Sequence, residues 1–300
     1  MKKGDKSFDE KKDSDFNKER NYLSVKHNTL ARARFNFTAM EKKIIEFAVS
    51  KITPQDIAPK GENRGVRVNF TISEYCEIFD IKNSGRNYNH IREAARSVRN
   101  KGVWVKINPE SNKQAVVSYF QDVIADEGTG EISVEFHYRL TPFIQGLNID
   151  AGNLTMFKLF NISKLKSQYS LRLYEYFKSV DHVEQPFRIT IEELKHILIA
   201  EHFKEFAQFR RKIIEVAVGK ALESGKDGGG EINEKTDLNI KWEPKKIKSS
   251  KYNQIWFWIK EKNQIEVLEL EYKECLGTNP ERAQILEKII SALKKKNENK

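Results

Sequence analysis

Three hundred residues, 39% of them hydrophobic and 18 of them phenylalanine, suffice for two domains with separate cores and exclude a wholly disordered chain. The net charge of +10 favours a polyanionic partner, and no apolar run approaches the roughly 18 residues that a membrane span needs. The two cysteines, Cys76 and Cys275, lie far apart, which excludes a disulfide framework and a cysteine-rich zinc site.

Residues 1–20 carry seven basic and six acidic side chains, contain no apolar signal segment, and read as a disordered tail of a cytoplasmic protein. FTAMEKKIIEFAVSKI (37–52) has helical periodicity. VRVNF then alternates like a strand and leads into FTISEYCEIF (70–79), whose T-x-x-E is a capping box. NYNHIREAARSVRNKG (87–102) predicts a second helix, with Ile91, Ala94, Ala95 and Val98 inward and Gly102 as its C-cap. VWVKI (103–107) and AVVSYFQDVI (115–124) predict two strands joined by NPESNKQ.

EISVEFHYRLTPFIQGL (131–147) and LTMFKLF (154–160) read as a connection to a second copy of the same order. The helix SKLKSQYSLRLYEYFKSV (163–180) precedes strand-like PFRI and ITIEELKHIL (189–198). That stretch echoes the earlier one through Thr71/Thr190, Ile72/Ile191, Glu74/Glu193 and Ile78/Ile197. KEFAQFRRKIIEVAVGKAL (204–222) follows as a helix with an inward stripe of Phe206, Phe209, Ile213, Val216 and Ala217. DLNIKWE (237–243) and NQIWFWIK (253–260) are strands around the lysine-rich PKKIKSSKY. Beyond residue 262, Ile285, Ile289 and Leu293 predict a short amphipathic helix.

Helix, strand, helix, helix, strand, wing, strand therefore occurs twice. The expected fold is α+β, two tandem winged helix-turn-helix domains over 21–150 and 151–262, followed by a helical tail, 263–300. Such a module lays its second helix in the major groove and holds phosphates from the flanks. Opposite the stripe of 204–220 stand Lys204, Gln208, Arg211, Lys212 and Glu215, with Arg210 at the edge. Residues 203–220 hold five basic against two acidic residues, and 241–251 hold five lysines against one glutamate.

The candidate DNA-binding residues are thus Lys204, Gln208, Arg210, Arg211 and Lys212 for the groove and Lys245, Lys246, Lys248 and Lys251 for the backbone. Arg92, Arg96 and Arg99 form a second contact in the first unit. Arg211 and Lys212 suit guanine, and the wing lysines suit phosphate.

The chain resembles the theta-type, iteron-binding plasmid replication initiators, the Rep_3 family, over residues 22 to 260. The resemblance lies in SVKHNTLARARFNFTAMEKKIIEFAVSKI, YSLRLYEYFKS, FRRKIIEVAV and EINEKTDLNIKWE, and in their order. It implies a tandem winged-helix initiator that binds repeated double-stranded origin sites as a monomer and promotes melting of an adjacent AT-rich region. It further implies recruitment of host replication proteins, namely the initiator ATPase and the replicative helicase. A homodimer formed through the N-terminal domain would repress its own gene, and the C-terminal domain would be the main reader. GKALESGKDGGG (219–230) departs from the family pattern, and its glycines predict a flexible loop.

Two other readings use the same residues: a transcription regulator without a replication role, and a rolling-circle tyrosine nickase. In 163–180 the spacing turns Tyr169 and Tyr176 inward with Leu165, Leu173 and Phe177, and places Tyr174 nearer the flank. None of the six histidines forms the close pair that a nickase's metal requires, and no GxxxxGK[ST] loop is present. The tyrosines read as scaffold, and the sequence predicts no catalytic residue, metal or cofactor.

Overall fold

The computed structural model describes residues 22–53, 56, 58, 63–106, 113–147, 152–225 and 229–298. The expected disordered tail at 1–20 and most of the turn between the first pair of wing strands lie outside these. The chain begins β1 (Leu23–His27), α1 (Asn28–Ala31), β2 (Arg34–Phe35), α2 (Ala39–Ser50), β3 (Arg67–Thr71), α3 (Ile72–Ile78) and α4 (Gly85–Asn100). It continues β4 (Gly102–Lys106), β5 (Gln114–Ser118), β6 (Phe120–Ala125), β7 (Glu131–Phe136), α5 (Thr141–Ile144), β8 (Leu154–Lys158), α6 (Leu159–Ser163) and α7 (Gln168–Val180).

The T-x-x-E stretches fold in the same register. Thr71 ends β3 and caps α3, accepting from Glu74 N at 3.1 Å while Glu74 accepts from Thr71 N at 2.7 Å. In the second unit β9 (Phe187–Thr190) ends on Thr190, which accepts from Glu193 N at 3.1 Å at the start of α8 (Ile191–Ile197). Removing such a cap costs about 0.5–2 kcal/mol; Thr71→Ala is expected to lower stability by that amount in urea unfolding.

The strand partners differ between the units. In the second, β10 (Leu238–Lys245), β11 (Gln254–Glu261) and β9 form one antiparallel sheet in the order β10-β11-β9. In the first, β3 instead joins the β6–β7 hairpin, and the β4–β5 hairpin pairs with β2. Residues 131–136, expected in a connection, are therefore β7, a sheet strand. Buried Ile132, Val134 and Phe136 alternate along it, the signature of a half-buried strand. Gly102 opens β4 rather than capping α4; a Cβ there would meet Val116 Cγ1 at 2.6 Å, so the residue permits close approach across the hairpin.

The compact units are residues 1–179 with 195–202, and 180–194 with 203–300. The first unit thus runs past the expected boundary at 150, because β8 pairs along the whole of β1. Among its buried charged side chains, five form one cluster: Lys26 on β1, Lys42 and Glu46 on α2, and Arg172 and Glu175 on α7. Lys26 Nζ lies 2.8 Å from Glu175, Lys42 Nζ lies 2.6 Å from Glu46 and 2.9 Å from Glu175, and Arg172 lies 3.0 Å from Glu175. Arg172 also donates to the carbonyls of Ala31 and Ala33.

Burial opposes ionisation of Glu175, but Lys26, Lys42 and Arg172 outweigh it and hold its pKa at about 2. Burial likewise lowers the Lys26 pKa, yet Glu175 and Glu46 more than reverse this and raise it. With three cations to two carboxylates, Lys42 and Arg172 end lowered, burial being the larger effect.

From Ser170 to Val180, α7 is buried all round. Tyr174 is wholly buried with its ring 5.4 Å from Phe157, and Tyr169 is the half-exposed member of the trio. This corrects the placement of Tyr174 on the flank and Tyr169 inside. The tail forms two helices, α11 (Gln264–Thr278) and α12 (Pro280–Glu298). They pack on Cys275, Ala283 and Leu286, with Leu268 and Tyr272 alongside. The inward stripe of α12 is Ala283, Leu286 and Ile290, whereas Ile285 and Ile289 are exposed, contrary to expectation.

Candidate nucleic-acid interface

In the second unit, 206–218 is one continuous helix, α9, built from α-helical Phe206–Phe209, a π-helical turn Arg210–Ile214 and α-helical Glu215–Val218. Glu215 N donates to Arg210 O, a bond five residues back that admits one extra residue into the turn. The phase of the second half shifts accordingly. The buried stripe is Phe209, Ile213, Ile214, Ala217 and Val218, while Val216, expected inside, is 41% exposed and Phe206 is half-buried.

Lys204, Gln208, Arg211 and Lys212 are all exposed. Glu215, expected on this outer face, is instead largely covered, 3.4 Å from Arg210 and 2.5 Å from Lys220. Arg210 also lies 3.8 Å from Glu223. An acid thereby leaves the outer face, and Arg210 is drawn to its margin.

The far end of α9 is pinned to the sheet. Asn233, on α10 (Glu231–Lys235), donates to Val218 O and Ile240 O, both at 2.9 Å, and accepts from Ile240 N at 2.7 Å. Trp242, wholly buried on β10, donates from Nε1 to Gly219 O at 2.9 Å. Gly219 and Gly230 both have left-handed φ, 82° and 86°, and a Cβ on Gly230 would lie 2.3 Å from Gly219 N. The insertion therefore leaves and re-enters at one point. The flexible loop expected there falls partly on 226–228, outside the described residues; Leu222–Ser224 forms a 3₁₀ turn.

The β10–β11 hairpin forms the wing. Lys246, Lys248 and Lys251 are exposed. Lys245 is half-buried, 2.7 Å from Glu243 and 5.1 Å from the Trp256 ring centre. Arg188 covers the same ring at 4.8 Å. Its exposed cation was missed in the sequence because only the register Arg188↔Trp256 places it there. Tyr252 joins wing to helix, its ring 5.6 Å from Phe206 and 5.0 Å from Lys246 Nζ.

In the first unit, Arg96 and Arg99 on α4 are exposed, and Arg99 Nε donates to Gln121 O at 3.1 Å. Arg92 is not presented with them. Its side chain is 13% exposed, 3.4 Å from Glu127 and bonded to Asn89 at 2.9 Å.

Among the described residues no group of His, Cys, Asp and Glu side chains comes together to hold a metal ion, and no helix is long and apolar enough to cross a membrane. Residues 23–178 match the family model "Initiator Replication protein, WH1", and residues 190–272 match "Initiator Rep protein, WH2". The chain belongs to the Rep_3 family of initiator replication proteins. The two matched stretches are the family's two winged-helix domains, WH1 and WH2.

Among solved structures, the Pi initiator protein in complex with iteron DNA is similar in fold, with a TM-score of 0.64 at 17% identity over 82% of this chain and 99% of that one. Domains 2 and 3 of RctB give a TM-score of 0.41 at 15% identity, covering 75% and 83%, too slight a likeness to carry an argument. Among curated proteins none matches significantly. Within the EINEKT stretch of this chain, Asn233 joins helix to sheet, and Thr236 Oγ1 donates to Ile232 O at 2.8 Å.

Proposed function

We propose that this Rep_3 protein initiates plasmid replication by binding repeated origin duplexes sequence-specifically. The observation that carries the reading is the outer face of the second unit, where exposed Gln208, Arg211 and Lys212 share one body with exposed Lys246, Lys248 and Lys251. The Pi initiator, similar in fold, was solved on iteron DNA, which supports the same ligand class here.

Gln208 suits the N6 and N7 edge of adenine and Arg211 the O6 and N7 edge of guanine. Lys212 and Lys204 border them. The wing lysines take phosphates, giving salt-dependent affinity without sequence information. Arg210 and Lys245, each beside a carboxylate, orient the margin of the interface. Arg96 and Arg99 supply a second, weaker contact from the first unit, and Arg92 joins them only if Glu127 releases it.

Bending of the bound repeats then lowers the cost of separating strands nearby. Recruitment of the host initiator ATPase and replicative helicase, and autorepression by a dimer formed through the N-terminal domain, complete the proposal on the strength of the family. Burial of Tyr174 weighs against a nickase, since its hydroxyl has no path to a phosphate.

The test begins with a duplex selected from a randomised library. Arg211→Ala is expected to lose about 1–3 kcal/mol on that duplex at one or two base positions and little on a scrambled one. Lys246→Ala should weaken both alike and reduce the salt slope by about one. Equal losses on both duplexes for both variants would remove the assignment of reader and clamp. A plasmid whose only origin is this gene with its upstream DNA should replicate; failure would leave a regulator.

A further inference from the structure

At the tip of the wing, Ile247 stands between Lys246 and Lys248 with 37% of its surface exposed. An exposed β-branched apolar residue gains nothing from water, yet its backbone is held twice by one side chain. Ile247 N donates to Asn253 Oδ1 at 2.9 Å, and Asn253 Nδ2 donates to Ile247 O at 2.9 Å. Asn253 is itself anchored, its N–H donating to Lys245 O at 3.1 Å and its carbonyl accepting from Ile191 N at 3.0 Å. Lys248 next adopts a left-handed φ of 50°, uncommon outside glycine. The contact of Tyr252 with Phe206 ties this turn to α9.

The structure therefore offers a fixed apolar tip on a turn that also carries exposed Lys246, Lys248 and Lys251. The complementary surface is a polyanion with an apolar recess, and the minor groove of duplex DNA is one: apolar wedges enter it between base steps and kink the helix. We infer that Ile247 is such a wedge, entering the minor groove at a flexible A·T-rich step while the lysines hold the phosphates on either side. The inference rests on the duplex-binding reading above and adds to it a bending residue and a groove.

The experiment uses the full chain and the library-selected duplex, with bend angle read by fluorescence energy transfer between the duplex ends. Ile247→Ala is expected to at least halve the bend and weaken binding about tenfold, with an unchanged salt slope because no phosphate contact is lost. Asn253→Ala, which unclamps the tip but keeps the isoleucine, should reduce the bend in the same direction. Replacing adenine by 2,6-diaminopurine adds an amino group to the minor-groove floor. One or two such replacements should weaken the wild type about tenfold and leave Ile247→Ala indifferent. Specific binding with an unaltered bend in Ile247→Ala, or an equal response of both proteins to diaminopurine, overturns the wedge. Absence of specific binding by the wild type instead overturns the duplex reading on which it stands.

Discussion

Glu175→Ala is expected to cost the first unit about 3–5 kcal/mol, the penalty for stranding buried charge when one partner of an ion pair is removed. Glu175 is the carboxylate that Lys26, Lys42 and Arg172 all meet. Without it three cations share Glu46 alone. Against a domain stability of ~5–15 kcal/mol, the variant sits near its unfolding threshold, and chemical denaturation with a circular dichroism readout measures the loss.

The same cluster sets a pH dependence. The folded pKa of Glu175, about 2, lies below its ordinary 4.5, so the stability it supplies is complete above the ordinary value. That stability is lost as pH falls from about 4.5 towards 2. Lys26, raised above 10.5, acts in the opposite sense: its contribution is full below that value and disappears as pH climbs through the folded one. The wild type should therefore lose stability at both extremes, and Glu175→Ala should show a flatter acid limb.

Trp242→Ala is the second large effect. The indole is wholly buried on β10, and aromatic-to-alanine changes in cores cost about 3–5 kcal/mol. It also removes the donor to Gly219 O, which fixes the C-terminal end of α9 to the base strand of the wing. DNA affinity should fall even at temperatures where the variant remains folded, because helix and wing lose their common frame. Trp242→Phe restores most of the volume but not the hydrogen bond, for a net loss of about 1 kcal/mol. Thermal unfolding and duplex titration of both variants separate packing from alignment.

Much of the fold was legible because it is written locally. The threonine and glutamate of each T-x-x-E mark a helix start to the residue, and the alternation in LNIKWE and QIWFWIK gives two strands. What escaped the sequence depends on non-local pairing or on one hydrogen bond. The π turn at Arg210–Ile214 has no composition signal, so the stripe drawn at 100° per residue misplaced Val216, Ile214 and Glu215. The pairing of β3 with β7 is a choice among several strands of similar alternation. Tyr174 was placed on a flank because a helix buried all round has no face to count from. Lys26, Lys42, Arg172 and Glu175 look like surface charge in a chain that is 32% charged. Only their mutual distances show that they are core. Arg92 was grouped with Arg96 and Arg99 by helical spacing, and Glu127, 35 residues later, takes it away.

The central claim is that the outer face of 206–218 reads base edges in a major groove, and methylation interference at guanine N7 tests it most directly. On the library-selected duplex, methyl groups at one or two guanines should block binding of the wild type. Arg211→Ala should lose sensitivity at one of those guanines and keep the rest of the pattern. A wild type indifferent to N7 methylation at every guanine, or a pattern unchanged by Arg211→Ala and by Lys212→Ala, would contradict the account.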